Sequence, residues 1–108
     1  MTHLDFELTV EREEGGALRV VVRGELDIAT APRLEAVLAD SSASSLRVDL
    51  RGLTFMDSTG VRTLLQATED ARAAGRELRF RMPADGDAHV VLLETGIARL
   101  LPQDVNGA

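Results

Sequence analysis

Four consecutive residues, Asp57-Ser58-Thr59-Gly60, set two hydroxyls between a carboxylate and a glycine where apolar sequence of strand character gives way to helical spacing. Two uses of such a hydroxyl are open. Ser58 suits an N-cap, its oxygen accepting from the backbone N–H of Gly60 or Val61. A solvent-facing serine at a helix start is also easily modified. Gly60 falls in the first helical turn, where glycine costs about 0.5–1 kcal/mol relative to alanine. The missing side chain therefore serves a purpose. Either it eases a tight turn into the helix, or it lets another protein's backbone or a phosphate approach the exposed N–H groups.

The elements that must position this junction follow from periodicity. Phe6, Leu8 and Val10 alternate with Glu7, Thr9 and Glu11 as a first strand, and Glu13-Glu14-Gly15-Gly16 makes a hairpin turn. Leu18, Val20 and Val22 alternate with Arg19, Val21 and Arg23 as a second strand ending at Gly24. A helix starts near Thr30, with Pro32 tolerated in its first turn and Leu34, Val37 and Leu38 as its buried stripe. Ser41-Ser42-Ala43-Ser44-Ser45 reads as a loop. A short third strand covers Leu46 to Leu50, Arg51 to Met56 reads as a loop, and Phe55 and Met56 as core. Val61, Leu64, Leu65, Thr68 and Ala71 then mark a second helix, stopped by Gly75. A fourth strand alternates Leu78, Phe80 and Met82 with Arg79 and Arg81 up to Pro83, and a third helix runs from about Asp87 to Gly96.

Strict alternation excludes a sheet buried on both faces, whose strands would be continuously apolar. The expectation is an α/β domain, a small mixed sheet of about four to five strands with helices packed mainly on one face. The first two strands form an antiparallel hairpin, and right-handed crossovers make the others parallel. The open face then carries Arg19, Arg23, Arg47, Arg51, Arg79 and Arg81 among Glu7, Glu11 and Asp49. That row is either a lattice of cross-strand ion pairs or an arginine-rich docking surface.

At 108 residues the chain makes one domain, read as residues 1–102 with residues 103–108 as a frayed tail. There is no cysteine, which excludes disulfides and thiolate chemistry and fits a reducing compartment. The opening Met1-Thr2-His3-Leu4-Asp5 has neither the basic nor the apolar region of a secretory signal, and no stretch reaches the roughly 18 apolar residues that span a bilayer. A cytoplasmic location is expected. A formal charge of -6 argues against nucleic acid and anionic membrane as partners. No metal site or cofactor is expected. Ser58 lacks the Gly-x-Ser-x-Gly context of a hydrolase, His89 stands alone, and without lysine there is no phosphate loop, so the chain reads as no enzyme.

Phe55-Met56-Asp57-Ser58-Thr59-Gly60-Val61, preceded by Val48-Asp49-Leu50, resembles the signature of the STAS domain, and more narrowly that of the stand-alone bacterial anti-sigma factor antagonists. Gly24-Glu25-Leu26-Asp27 followed by Thr30-Ala31 is similar to the family's turn into its first helix. Leu93-Glu94-Thr95-Gly96-Ile97 before Leu100-Leu101-Pro102 is a weaker third match. The usual closing strand and C-terminal helix are missing or shortened after Pro102.

The resemblance implies that the hydroxyl directly after the aspartate, Ser58, is phosphorylated by an anti-sigma factor that is a serine kinase of GHKL-type ATPase fold, with Thr59 second. The unmodified protein would bind that partner and free a sigma factor; the phosphorylated form would be released and reset by a PP2C-type phosphatase. ATP and magnesium would belong to the kinase. Leu26, Asp27, Asp57, Ser58, Thr59 and Gly60 are the expected partner contacts, with Val61 and Arg62 beside them. Asp27 has a second reading as a turn or capping residue. The rival role is a non-switching STAS module serving as a scaffold, a transport-associated domain or part of a lipid-trafficking machine.

Overall fold

β1 (Phe6–Arg12) and β2 (Ala17–Leu26) pair antiparallel in the computed structural model, which describes residues 5–40 and 43–104. A 3-10 turn, Glu14–Gly16, joins them, and Gly15 and Gly16 adopt left-handed backbone at φ 78° and 84°. α1 (Ala31–Leu38) leads to β3 (Ser45–Met56), α2 (Ser58–Ala74) to β4 (Glu77–Arg81), and α3 (Gly86–Thr95) to a 3-10 turn at Ile97–Arg99. The strands lie in chain order, with β3 parallel to both β2 and β4. This is the expected mixed α/β sheet. Ser41, Ser42 and the end of the tail from 105 onward lie outside the described residues.

One core fills the space between the sheet and the helices. Val20, Val22, Val48, Leu50 and Phe80 project from the strands and meet Leu34, Leu64, Ala88 and Leu92 from the three helices. Each residue of β2 or β3 that points this way is followed by one on the opposite face, as a pleated strand requires. On that face the ion-pair reading holds for most of the row. Arg19 reaches Glu11 and Asp49 at 3.4 Å, Arg51 reaches Asp49 at 2.8 Å, Arg47 reaches Glu13 and Asp104 at 3.4 Å, and Arg79 reaches Glu77 at 3.2 Å. Asp49 is buried beneath these cations, and the hydrogen bonds from Arg51 hold its carboxyl below the usual carboxylate range.

Two expectations fail at β3. The strand does not stop at Leu50 but stays paired with β2 as far as Met56, through two irregularities that each insert one extra residue into β3. Arg23 and Gly24 face Gly52 and Leu53, while Glu25 and Leu26 face Phe55 and Met56. Such bulges reset the alternation, and the broken pattern imitates a loop. The two insertions cancel, so only Leu53 between them is out of phase, while Met56 stays buried as expected and Phe55, expected in the core, faces outward at 39% exposed. The tail also differs from expectation. Phe80 N–H donates to the Pro102 carbonyl and Asp104 N–H to the Phe80 carbonyl, both at 2.8 Å, so Gln103 and Asp104 extend the sheet edge rather than fray.

Candidate functional site

β2 and β3 run parallel, so the turns after them emerge side by side at the carboxyl end of the sheet, where loops of α/β folds converge on ligands. The turn after β3 is tied to its neighbour through the backbone, with Asp57 N–H donating to the Leu26 carbonyl at 3.2 Å. α2 is held further along by Thr63, buried, whose hydroxyl donates to Glu35 on α1 at 2.9 Å.

The cap of α2 is Asp57, not Ser58. Its backbone is extended, and its Oδ1 accepts from Gly60 N–H at 3.0 Å while its carbonyl accepts from Val61 N–H at 3.0 Å. Aspartate and serine compete as caps with similar strength, and the residue that is still extended where the strand ends wins. Ser58 is therefore the first helical residue. It is exposed, and its hydroxyl makes no hydrogen bond among the described residues; Thr59 is half-buried.

Gly60 is buried, and the approach that excludes a side chain there comes from within the chain. A Cβ would lie 2.6 Å from Met56 Cγ and 2.8 Å from the Leu26 carbonyl oxygen. The missing side chain lets the first turn of α2 seat directly on the end of β2. Of the two readings of Gly60, this close internal packing favours a tight entry into the helix over the approach of a foreign backbone or a phosphate.

Leu26, expected as a partner contact, is corrected. Its side chain is fully buried under that turn, so it shapes the surface without reaching it. Asp27 takes its turn-forming reading. Its Oδ1 accepts from Ala29 N–H at 3.0 Å and Thr30 N–H at 3.1 Å, and its carbonyl accepts from Ala31 N–H at 2.8 Å. Thr30 is buried, donating to the Glu25 carbonyl at 2.8 Å and accepting from Asp27 N–H at 2.9 Å. Of the other expected contacts, Asp57 and Val61 are half-buried and Arg62 is exposed.

Sequence reasoning missed Ile28, which is 75% exposed at the tip of the turn after β2. Asp27 accepts from Ala29 N–H and Thr30 N–H and Thr30 is buried, which leaves Ile28 on the outside of the turn. Ile28 and Ser58 thus occupy neighbouring turns, an apolar projection beside an unengaged hydroxyl. Among the described residues no group of three or more His, Asp or Glu could hold a metal ion, and no helix is long and apolar enough to cross a membrane.

The arrangement has close parallels. A family model described as "Mlab, STAS domain" matches residues 9–102. The crystal structure of an anti-sigma factor antagonist from Mycobacterium paratuberculosis is 30% identical, with a TM-score of 0.70 over 94% of this chain and 87% of that one. The Bacillus cell-fate determinant SpoIIAA in its phosphorylated form aligns at 17% identity and a TM-score of 0.68, covering 93% of each chain. A sulfate transporter family protein from Wolinella succinogenes shares the fold at 20% identity and a TM-score of 0.65, over 83% of this chain and 75% of its own. The matched span and the relative at 30% identity carry the conclusion that this chain belongs to the STAS domain family.

Proposed function

We propose that this protein is an anti-sigma factor antagonist whose unphosphorylated form binds an anti-sigma factor with a GHKL-type serine kinase fold, releasing a sigma factor for transcription. The observation that carries this reading is the exposed Ser58 hydroxyl, left free because Asp57 caps α2 in its place. Support comes from the 30% identical antagonist and from a structural relative known in a phosphorylated form.

The chain acts as substrate and ligand, not as an enzyme. Ser58 Oγ attacks the γ-phosphorus of ATP held by the partner; the Oγ–P bond forms, the bond to the β,γ-bridging oxygen breaks, ADP departs and the hydroxyl proton passes to a base on the kinase. About -1.5 to -2 charges then sit at the helix start. A helix N-terminus accommodates them, so the fold survives. A partner surface pressed on Ser58 and Ile28 does not, because the dianion meets desolvation and any facing acid. A PP2C-type phosphatase resets the switch, and both steps belong to the cytoplasm.

Incubation with ATP and a cognate kinase, followed by mass-spectrometric mapping, tests the reading. Phosphate on Ser58, with partner affinity lost and the fold retained, is the expected result. No phosphate on Ser58 or Thr59 with any cognate kinase would leave the second reading, a non-switching scaffold or transport-associated module, which the fold shared with a sulfate transporter family protein favours.

A further inference from the structure

The phosphate proposed for Ser58 arrives at a helix N-terminus that favours an anion, but beside carboxylates that do not. The Asp57 carboxylate is adjacent in sequence, and its Oδ1 already occupies Gly60 N–H, while Val61 N–H is taken by the Asp57 carbonyl. In the neighbouring turn Asp27 adds a second carboxylate, committed to its own backbone bonds. The first two turns of α2 contain one cation, Arg62.

Arg62 stands four residues after Ser58. Both are exposed, whereas Gly60, Thr63 and Leu64 of the same turns are buried, so the two share the outward side of the helix. Residues at this spacing have Cβ atoms about 5–6 Å apart, and an acid placed N-terminal to its base is the favourable order. The other arginines near α2 are engaged: Arg72 with Glu69, and Arg76 with the carbonyls of Ala43 and Asp40. Arg62 has no ion pair or side-chain hydrogen bond among the described residues. A planar guanidinium binds phosphate oxygens in pairs.

We infer that Arg62 is the intramolecular partner of the Ser58 phosphate, a positioning residue that swings onto the dianion across one helical turn. This rests on the reading of Ser58 as the modified residue. The pairing adds to the helix N-terminus in tolerating the phosphate next to Asp57, and it withdraws Arg62 from any acidic group on the bound partner. One modification then changes the interface twice, adding a dianion and removing a cation.

The test needs no kinase. Phosphoserine is installed at position 58 during synthesis of the full chain, and its phosphorus resonance is followed against pH in the unchanged protein, in Arg62→Gln and in Arg72→Gln. An opposite charge in contact favours the dianion, so the second phosphate pKa is expected to lie about half a unit lower with Arg62 present than in R62Q, with R72Q matching the unchanged protein. Equal values with and without Arg62 overturn the pairing. An R72Q shift as large as that of R62Q also overturns it, because the cause would then be net charge. Failure of every kinase to modify Ser58 would bear on the proposed function and leave this titration intact, so the two failures are separable.

Discussion

The turns after β2 and β3 use the same chemistry to different ends. Each begins on an aspartate, Asp27 or Asp57, whose Oδ1 accepts backbone N–H groups at the head of a helix. In the first turn the hydroxyl comes three residues after the aspartate, and Thr30 is buried and bonded on both sides. In the second it comes one residue after, and Ser58 points to solvent with no partner among the described residues. An N-cap contributes about 1 kcal/mol whichever turn it serves. A hydroxyl stabilises a turn only from the position that folds back into it. The turn after β2 is therefore closed by its hydroxyl, while the turn after β3 is closed without one and keeps Ser58 free for chemistry.

That contrast can be broken most severely at Gly60. Gly60→Ala drives a Cβ against a backbone carbonyl that cannot step aside, and a loss of about 3 kcal/mol in urea unfolding is expected. A midpoint unchanged from the parent would mean that the start of α2 does not seat on β2. Thr30→Val keeps the shape but strands the Asp27 N–H and the Glu25 carbonyl, and should cost about 2 kcal/mol. Asp57→Ala removes the cap at Gly60 N–H and should cost about 1 kcal/mol by the same measurement. Ser58→Ala, deleting an exposed and unengaged hydroxyl, should stay within about 0.5 kcal/mol of the parent. Equal losses for Thr30→Val and Ser58→Ala would erase the distinction between the two turns.

The smallest effect lies away from both turns, on the open face of the sheet. Asp49 has its folded pKa lowered by hydrogen bonds from Arg51, so its ionised form favours the folded state. That contribution is present above the unfolded value of 3.8 and is lost as pH falls through the lower folded value. The stability difference between the parent and Asp49→Asn should accordingly be widest near neutrality and shrink only in acid. A difference that persisted below the folded pKa would assign the effect to shape instead of charge.

Much of this molecule was legible in its residues. Alternation placed β1, β2, β4 and the first half of β3 and called for an exposed arginine face, since a pleated strand half buried must repeat every two residues. Gly75 and Gly96 stopped their helices in left-handed backbone, at φ 70° and 75°. The local order Asp57-Ser58-Thr59-Gly60 marked the site, because an acid, two hydroxyls and a glycine at a strand-to-helix junction have few uses. Other features answered to partners about 30 residues away. Whether Asp57 or Ser58 caps α2 was settled by how far β3 stays paired with β2. The two pairing irregularities buried Leu53 between them and cancelled by Met56, leaving Phe55 outward. The carbonyl of Leu26 gave Gly60 its purpose, and the turn seated there buried the Leu26 side chain once expected at the surface. The sequence by itself determined which residues could perform the chemistry; only tertiary packing decided which of them reach solvent, because exposure belongs to the contacts between strands and not to any residue alone.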